Sequence, residues 1–389
     1  PTDLPADSME SYNPANPSGQ LLFDSMETDL HPSSTKNRFP HSPGARSQPV
    51  EESTVFEPGE FKLRQVVGLG GYGEVWEAEQ QSLKRIVAVK RLRRDRVEDG
   101  SYNASGASKS NPQTAFRQEA ILTANLCHPN IVPVFEMGLD NTGDVLMAME
   151  FINGTAWEEM IYKDCQEMPP SDFLAKHLPT LAQISQAVAF AHSRGVVHRD
   201  IKPNQVIVGE FGQVYLVDWG LALAYDVEKF LQVEEDVVDD LLRTRETAPN
   251  PAGTPAFMAR EQTYPTAKGI GPWTDVYLLG GTLYYLLTLT VPHQGKDVEE
   301  VFANAQDGTL QRPEERVPDR YVPAELSELC MMAMAPDIRD RLKTATEFYV
   351  LLQDYMSGAQ RRRESRDIVE TIREHLRQGE QSYEEYPRL

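Results

Sequence analysis

Cysteine and basic residues are scarce in this sequence, and each shortage argues against a class of protein. The 389 residues include only three cysteines, Cys127, Cys165 and Cys330, which lie far apart in the chain. They form neither a disulfide framework nor a zinc ligand set, which favours a reducing compartment, and we expect a cytoplasmic protein. Lys and Arg total 38 against 59 Asp and Glu, a net charge of −21. This balance argues against nucleic acid as the main partner, although a local basic cleft stays compatible with it.

A targeting signal and a clear membrane span are also missing from the sequence. Residues 1–14 have neither a basic start nor an apolar stretch, and the start at Pro1 favours a fragment of a longer chain. The run from Val276 to Gly295 carries no Asp, Glu, Lys or Arg, but it contains glycines and threonines and closes on Pro-His-Gln-Gly. A membrane helix needs about 20 predominantly apolar residues. We therefore expect a buried helix of a folded domain and no membrane segment.

Apolar residues make up 40% of the chain, enough for a sizeable core, but a periodic apolar pattern begins only after residue 57. Residues 1–57 are rich in Pro, Ser and Asn and lack apolar periodicity, so we expect a disordered leader. Alternating apolar and polar residues predict strands first, and helical patterns dominate after Gly154. This order predicts an α+β protein with two lobes. The predicted segments are strands at 61–67, 74–80, 85–91, 131–139 and 144–152, a helix beginning at Pro112, and a charged helical tail over 358–389.

Two adjacent patterns point to phosphate binding. Gly68–Val75 reads G-x-G-x-x-G-x-V, with glycines at Gly68, Gly70, Gly71 and Gly73. A glycine pattern alone is weak evidence, but here it lies between two predicted strands. This position excludes the dinucleotide-binding arrangement and favours a hairpin whose backbone N–H groups approach phosphates.

The second pattern is Val87-Ala88-Val89-Lys90, in the next predicted strand. Residues two apart on a strand share a face, so Ala88 and Lys90 point the same way. A small apolar residue beside an ammonium suits a nucleotide pocket in which the base lies flat and the phosphates lie further out. Lys90 would need a counter-charge, and Glu119 in the following helix is the candidate. The alternative is a surface lysine on an edge strand.

With these residues and the motifs that follow, the chain resembles a protein kinase of the bacterial (Hanks-type) serine/threonine family. Val87–Lys90 is similar to the V-A-I-K pattern of that family. His198–Gln205 resembles its catalytic loop, and Asp218-Trp219-Gly220 resembles its metal-binding triplet. The motifs occur in family order over about residues 60–355. Further matches are Gly253–Glu261 at the end of the activation segment, and Asp275 and Arg341 as structural polar anchors.

The resemblance implies a two-lobed protein kinase fold, with a small β-rich N-lobe (58–152), a larger helical C-lobe (153–357), and ATP between them. It implies transfer of the ATP γ-phosphate, with Mg²⁺, to the Ser or Thr hydroxyl of a protein substrate. Carried over residue by residue, it makes Asp200 the base, Lys202 the γ-phosphate clamp, Asp218 the metal ligand, Lys90 and Glu119 the phosphate anchor, and Thr254 a substrate-seating residue. The implied adenine pocket consists of Val75 and Ala88 above, Ile207 below, Met149 as gatekeeper, and the backbones of Glu150 and Ile152.

Gln205 departs from the family, which has Asn at that position. Counting back across the predicted hairpin 206–217 brings position 205 close to Asp218. A glutamine carries the same amide oxygen on a chain one methylene longer, so it either reaches the metal after a small shift or misses it. Arg260 likewise replaces a family proline, next to Glu261, which would pair with Arg341. These changes motivate an alternative reading: a pseudokinase scaffold that binds nucleotide but transfers little phosphate.

The segment from Asp226 to Glu246 carries eight acidic and three basic residues. In the family, an Arg at the position of Arg199 binds a phosphorylated residue of this segment. Thr244 and Thr247 are the only hydroxyl residues between Asp226 and Gly253. They are the candidate phosphorylation sites, unless the acidic residues supply the charge without phosphate.

Overall fold

The computed structural model describes residues 60–69, 73–92, 112–139, 145–231 and 242–358. Several predictions from the sequence lie outside these ranges. They are the leader 1–57, the two central glycines Gly70 and Gly71, the hairpin turn expected at 140–143 between the predicted strands 131–139 and 144–152, and the tail from residue 359.

Five antiparallel strands form the sheet of the first lobe, in the order β1-β2-β3-β5-β4. Apolar and polar residues alternate along these strands, which places the apolar side chains on the face of the sheet that packs on a hydrophobic core. The predicted strands at 61–67, 74–80 and 85–91 are confirmed with one or two residues added. The later pair is shorter than predicted because its ends leave the sheet. The bounds are β1 Phe61–Leu69, β2 Gly73–Gln80, β3 Arg85–Leu92, β4 Val134–Leu139 and β5 Val145–Glu150.

One helix, α1 (Pro112–Ala124), packs against this sheet. Proline at its first position costs nothing because the first-turn N–H groups have no partner within a helix. Phe116 and Ala120 are buried with Leu92 and Met147 of the strands. This contact fixes the face of α1 that turns towards β3.

The rest of the described chain is mainly helical and carries the largest hydrophobic core. Three short strands, β6, β8 and β9, form an antiparallel sheet in this part, and the two-residue strands β7 and β10 pair separately. The strands are β6 Gly154–Ala156, β7 Val196–Val197, β8 Val206–Gly209, β9 Val214–Leu216 and β10 Leu223–Ala224. The helices are α2 Trp157–Glu167, α3 Pro170–Ser193, α4 Val227–Leu231, α5 Pro272–Thr288, α6 Val298–Asp307, α7 Pro313–Arg316, α8 Ala324–Ala333 and α9 at 345–358.

Helix α5 contains most of the long uncharged run. All its residues from Thr274 to Thr288 are buried, which explains their hydrophobicity. The helix is shorter than the predicted run: it ends at Thr288, where Leu289 adopts a left-handed backbone conformation with φ of 56°. Throughout the described ranges, every helix is too short or too polar to cross a membrane.

Candidate active site

Asp275, the fourth residue of α5, holds the loop that carries the predicted base. Its carboxylate is fully buried and accepts hydrogen bonds from the backbone N–H groups of His198 and Arg199, both at 2.8 Å. His192 Nε2 lies 2.9 Å from the same carboxylate. Burial alone would raise the pKa of Asp275, but the hydrogen bond and charge of His192 lower it below its usual value. The aspartate therefore stays ionised and anchors the loop.

Two residues of the site have left-handed backbones, which are uncommon outside glycine. Arg199 has a φ of 75° and Asp218 a φ of 59°. Such conformations persist where surrounding contacts over-determine them, and they cluster at functional sites. Arg199 adjoins Asp200, and its backbone is held by Asp275.

Asp200 is buried at the end of this loop and is surrounded by donors. Its Oδ1 accepts the Thr254 hydroxyl at 2.7 Å and the Thr254 backbone N–H at 2.9 Å. Its Oδ2 lies 3.0 Å from Lys202 Nζ, and the Lys202 ammonium also donates to the Thr254 hydroxyl. The three side chains form one connected group, and Thr254 belongs to it although it is distant in sequence.

Lys90 lies in β3, where the structure pairs it with Glu119 of α1. Its Nζ is 2.5 Å from Glu119 Oε1 and 3.6 Å from Asp218 Oδ1. Burial raises the pKa of Glu119 against the opposing attraction of Lys90. Burial would also raise the pKa of Asp218, but the nearby cations, Lys90 first among them, lower it. Asp218 is thus kept as a carboxylate.

Gly73, the first residue of β2, allows this strand to lie close to the Lys90 side chain. A Cβ at Gly73 would lie 3.3 Å from Lys90 Cε and 3.0 Å from the Arg91 carbonyl oxygen, both closer than side chains usually pack. Val75 of the same strand pairs with Lys90 across β2 and β3. The start of β2 is therefore packed against the Lys90 side chain.

Gln205 lies between the two aspartates. It ends a short 3₁₀ turn, Pro203–Gln205, and its amide nitrogen is 3.3 Å from both Asp200 Oδ2 and Asp218 Oδ2. Asn204 is exposed and faces away, as its place at the entrance to β8 predicts. The hairpin of β8 and β9 thus brings position 205 to Asp218 as counted from the sequence.

The donor set suits magnesium. Carboxylate oxygens of Asp218 and the amide oxygen of Gln205, after rotation of the amide, are the hard ligands that Mg²⁺ accepts. Mg²⁺ usually takes one or two protein carboxylates and completes its shell with water and phosphate oxygens, so a site with one aspartate and one amide is of the kind it accepts.

The comparisons with known proteins agree with this arrangement. The model of the protein kinase domain matches residues 61–355. The chain belongs to the protein kinase family. It is 31% identical to the serine/threonine-protein kinase PknD of Chlamydia caviae, over 77% of the chain and 31% of the relative. The PknD proteins of Chlamydia muridarum and of Chlamydia trachomatis serovar L2b are 31% and 33% identical, over 80% and 77% of the chain and 33% and 32% of the relatives.

The residues predicted to line the adenine pocket come from strands β2, β3, β5 and β8 and from the chain after β5. Ala88 pairs with Met149 across β3 and β5, and Ile207 lies in β8. The Glu150 N–H donates to the Pro133 carbonyl at 3.0 Å, which fixes the backbone where the lobes join. Ile152 follows outside the strand. Their roles towards a base stay predictions.

Trp219, which stands in place of the family phenylalanine, is buried. Its ring meets His198 edge to face, with ring centroids 4.7 Å apart. Its indole N–H donates to the Leu216 carbonyl at 3.3 Å, so the larger aromatic brings no unsatisfied donor with it. We therefore regard the substitution as structurally compatible with the kinase fold.

Glu261 and Arg341 form the buried ion pair that the family resemblance predicted. Arg341 NH1 is 2.6 Å and NH2 3.2 Å from the carboxylate, and both side chains are almost fully buried. Thr274 adds a hydrogen bond of 2.9 Å to Glu261. The pair ties the end of the activation segment to the segment that leads into α9.

Sequence reasoning missed two polar residues near the predicted base, Asn250 and Gln262, and it placed His198 in the catalytic-loop motif without its contact to Asp200. His198 Nδ1 accepts the Asp200 backbone N–H at 3.2 Å. Gln262 donates to the Arg199 carbonyl at 2.7 Å, and Asn250 accepts from the Arg199 guanidinium at 2.8 Å. The only local signal was Asn250 before a proline, which reads as an ordinary turn.

Proposed function

We propose that this chain transfers the γ-phosphate of ATP to serine or threonine hydroxyls of proteins. The observation that carries the proposal is the convergence of the Lys90, Asp200 and Asp218 side chains. Lys90 is 3.6 Å from Asp218, and Gln205 bridges Asp218 to Asp200 at 3.3 Å on each side. The family model and the curated relatives support serine/threonine kinase activity.

Phosphoryl transfer requires positioning and charge neutralisation rather than covalent catalysis by the protein. In the proposed mechanism, Asp200 orients the substrate hydroxyl and accepts its proton, while Thr254 holds the carboxylate in place. Lys90, aligned by Glu119, binds phosphate oxygens of ATP, and Lys202 steadies the γ-phosphate. Protein kinases use Mg²⁺, which neutralises negative charge on the phosphates, and Asp218 with Gln205 would hold it.

The choice of Ser and Thr over Tyr rests on Lys202. A lysine two residues after the base is similar to serine/threonine kinases, and here it contacts both Asp200 and Thr254. Its charge lies beside the base, where a γ-phosphate would meet a short hydroxyl side chain.

The boundary between the lobes is proposed between residues 152 and 153, shortly after the end of β5.

The chain spans about a third of the length of the curated relatives that it matches. The substrates and partners of the whole protein are therefore part of the proposal, and a protein with a Ser or Thr acceptor is the expected substrate class. We also propose a reducing compartment, because Cys127, Cys165 and Cys330 are all free thiols.

A radiolabelled ATP assay tests the function. The wild type should phosphorylate a mixture of Ser/Thr peptides, and Asp200→Ala should abolish the label. Asp337→Ala is the matched control, because Asp337 forms an exposed ion pair with Arg339 far from the base in sequence. If the wild type is as inert as Asp200→Ala while Gln205→Asn gains activity, the pseudokinase alternative replaces this proposal.

A further inference from the structure

The guanidinium of Arg199 is fully buried and bonded to neutral acceptors. Its NH2 nitrogen donates to the Pro249 carbonyl and to Asn250 Oδ1, both at 2.8 Å, and NH1 donates to the Leu221 carbonyl at 3.3 Å. Burial, with the charge of Arg243, lowers the pKa of Arg199 to about 9, which still leaves a cation at neutral pH. The family resemblance implies that this guanidinium binds a phosphorylated residue. Here it donates its hydrogen bonds to amide and carbonyl oxygens.

Asn250 connects this arginine to the far end of the activation segment. The residue is buried, and its amide nitrogen donates to the carbonyl groups of Tyr264 at 2.6 Å, Glu261 at 3.2 Å and Thr266 at 3.3 Å. The Asn250 side chain therefore accepts a hydrogen bond from the catalytic loop through its oxygen and donates to residues 261–266 through its nitrogen. We call this set of bonds, centred on Asn250, the Asn250 latch.

Gln262 adds a second amide to the same junction. It is completely buried, and its nitrogen donates to the carbonyl groups of Arg199 at 2.7 Å and Ala252 at 2.9 Å. Gly253 follows with a φ of 127°, and a Cβ there would lie 2.7 Å from the Gln262 amide. The backbone leading to Thr254 is thereby held against the catalytic loop.

The two candidate phosphorylation sites are bonded to each other and to the local backbone. Thr247 Oγ1 accepts the Thr244 N–H at 2.9 Å and lies 3.4 Å from the Thr244 hydroxyl, which accepts the Glu246 N–H at 3.3 Å. Thr244 is buried. In the described ranges, neither hydroxyl is among the hydrogen-bond partners of the Arg199 guanidinium.

From these contacts we propose that Asn250 is a positioning residue that orders the described part of the activation segment, from residue 242 onward, without phosphorylation. By holding Arg199 on one side and residues 261–266 on the other, it keeps Thr254 against Asp200 in the unmodified chain. The proposal rests on the proposed kinase function and adds how the site is kept competent. It accounts for a buried guanidinium whose hydrogen-bond acceptors in the described ranges are the Leu221 and Pro249 carbonyls and the Asn250 amide oxygen.

The test compares phosphate-free proteins, verified by mass spectrometry after phosphatase treatment. Thr244→Val/Thr247→Val removes both candidate sites, and Asn250→Ala removes the latch. Asn250→Asp keeps an acceptor for Arg199 but loses the donors to residues 261–266. Asn130→Ala is the matched control, because Asn130 is another buried asparagine, which donates to Val214 and Gln183. Each protein is measured for kcat, for KM of ATP, and for amide hydrogen exchange over residues 242–266.

The phosphate-free wild type and the double valine variant should match the phosphorylated wild type within about twofold in kcat. Asn250→Ala should lower kcat about tenfold or more with little change in the KM of ATP, and should speed exchange over 242–266. Asn250→Asp should recover part of the lost kcat through Arg199. Asn130→Ala should lose thermal stability but keep kcat.

The proposal is overturned if removing phosphate lowers kcat of the wild type tenfold or more, or if Asn250→Ala leaves exchange unchanged. It is also overturned if Asn250→Asp is as impaired as Asn250→Ala, because the residue would then act without Arg199. A wild type inert in every state contradicts the proposed function instead. Hydrogen exchange still decides on the latch in that case: faster exchange in Asn250→Ala but not in Asn130→Ala supports it, and equal exchange refutes it.

Discussion

Lys90 Nζ lies 2.5 Å from Glu119 Oε1, and this ion pair joins strand β3 of the sheet to helix α1. The carboxylate holds the ammonium 3.6 Å from Asp218 Oδ1. We predict that Glu119→Gln lowers kcat/KM for ATP about ten- to a hundredfold, because a charge-assisted hydrogen bond contributes about 1.5–3 kcal/mol. Steady-state kinetics at varied ATP would measure this. Glu136→Gln, an exposed change in β4, should leave kcat/KM unaltered, and equal effects of both variants would contradict the assignment.

Gln205 should set the magnesium requirement, since its amide lies between Asp200 and Asp218. We expect Gln205→Leu to lower kcat about tenfold and to raise the Mg²⁺ concentration for half-maximal activity, because the amide bridge and a potential oxygen ligand are lost. Gln205→Asn should be at least as active as the wild type. Mg²⁺ titration of the rate, with calorimetry of Mg²⁺ binding in a non-hydrolysable ATP analogue complex, would check both. Identical Mg²⁺ dependence in all three proteins would refute this role.

Thr254 contributes both its hydroxyl and its backbone N–H to Asp200. Thr254→Val keeps the shape and removes the hydroxyl, so we predict a fall in kcat of about tenfold with an unchanged KM for ATP. Thr263→Val is a matched control, because the Thr263 hydroxyl bonds only locally, to the Arg260 carbonyl at 2.7 Å among the described contacts. The prediction fails if the two valine variants have the same kcat.

The Glu261–Arg341 pair should matter for stability. Arg341→Ala leaves a buried carboxylate without its partner, which costs about 3–5 kcal/mol. Urea denaturation of the purified domain would measure the loss of unfolding free energy. Arg339→Ala removes an exposed arginine, 88% accessible, from an ion pair with Asp337, and should leave the free energy of unfolding nearly unchanged because solvent screens the pair. A similar loss in both variants would contradict the buried pair.

Acid should destabilise the fold through two buried histidines. Burial lowers the pKa of His177 and of His293 to about 4, so the folded state keeps both neutral. The Trp157 indole N–H donates to His177 Nδ1 at 2.9 Å, a bond that requires an unprotonated nitrogen. Below pH 6.5 the unfolded chain binds protons that the folded chain does not, so stability falls with pH until about pH 4.

Urea denaturation at a series of pH values would show this as a fall in unfolding free energy of up to about 1.4 kcal/mol per pH unit for each histidine. Between pH 7 and 8 these two histidines should not change the unfolding free energy with pH. His177→Gln should reduce the slope below pH 6.5 by about one proton. An unchanged slope in that variant would show that His177 is not the titrating group.

The strands β1 to β3, the helix α1 and the buried run in α5 could be predicted because local patterns carry them. Alternation with period two produces a sheet face, and a charge-free run must be buried or spanning. The end of α5 at Thr288 could not, because the run continues apolar to Val291 while Leu289 turns the backbone. Local hydrophobicity does not indicate where a chain leaves a helix.

The order of the motifs was enough to name Lys90, Glu119, Asp200, Asp218 and Thr254 as one site. Each has a chemistry and a spacing that few other arrangements share, so sequence by itself determined the family and the candidate residues. Tertiary structure alone decided where the neutral amides act. The Gln205 amide settles between two carboxylates, and the Asn250 amide joins Arg199 to residues 261–266. Amides carry no charge and fit many environments, so their partners depend on how distant segments meet in space, which no local pattern records.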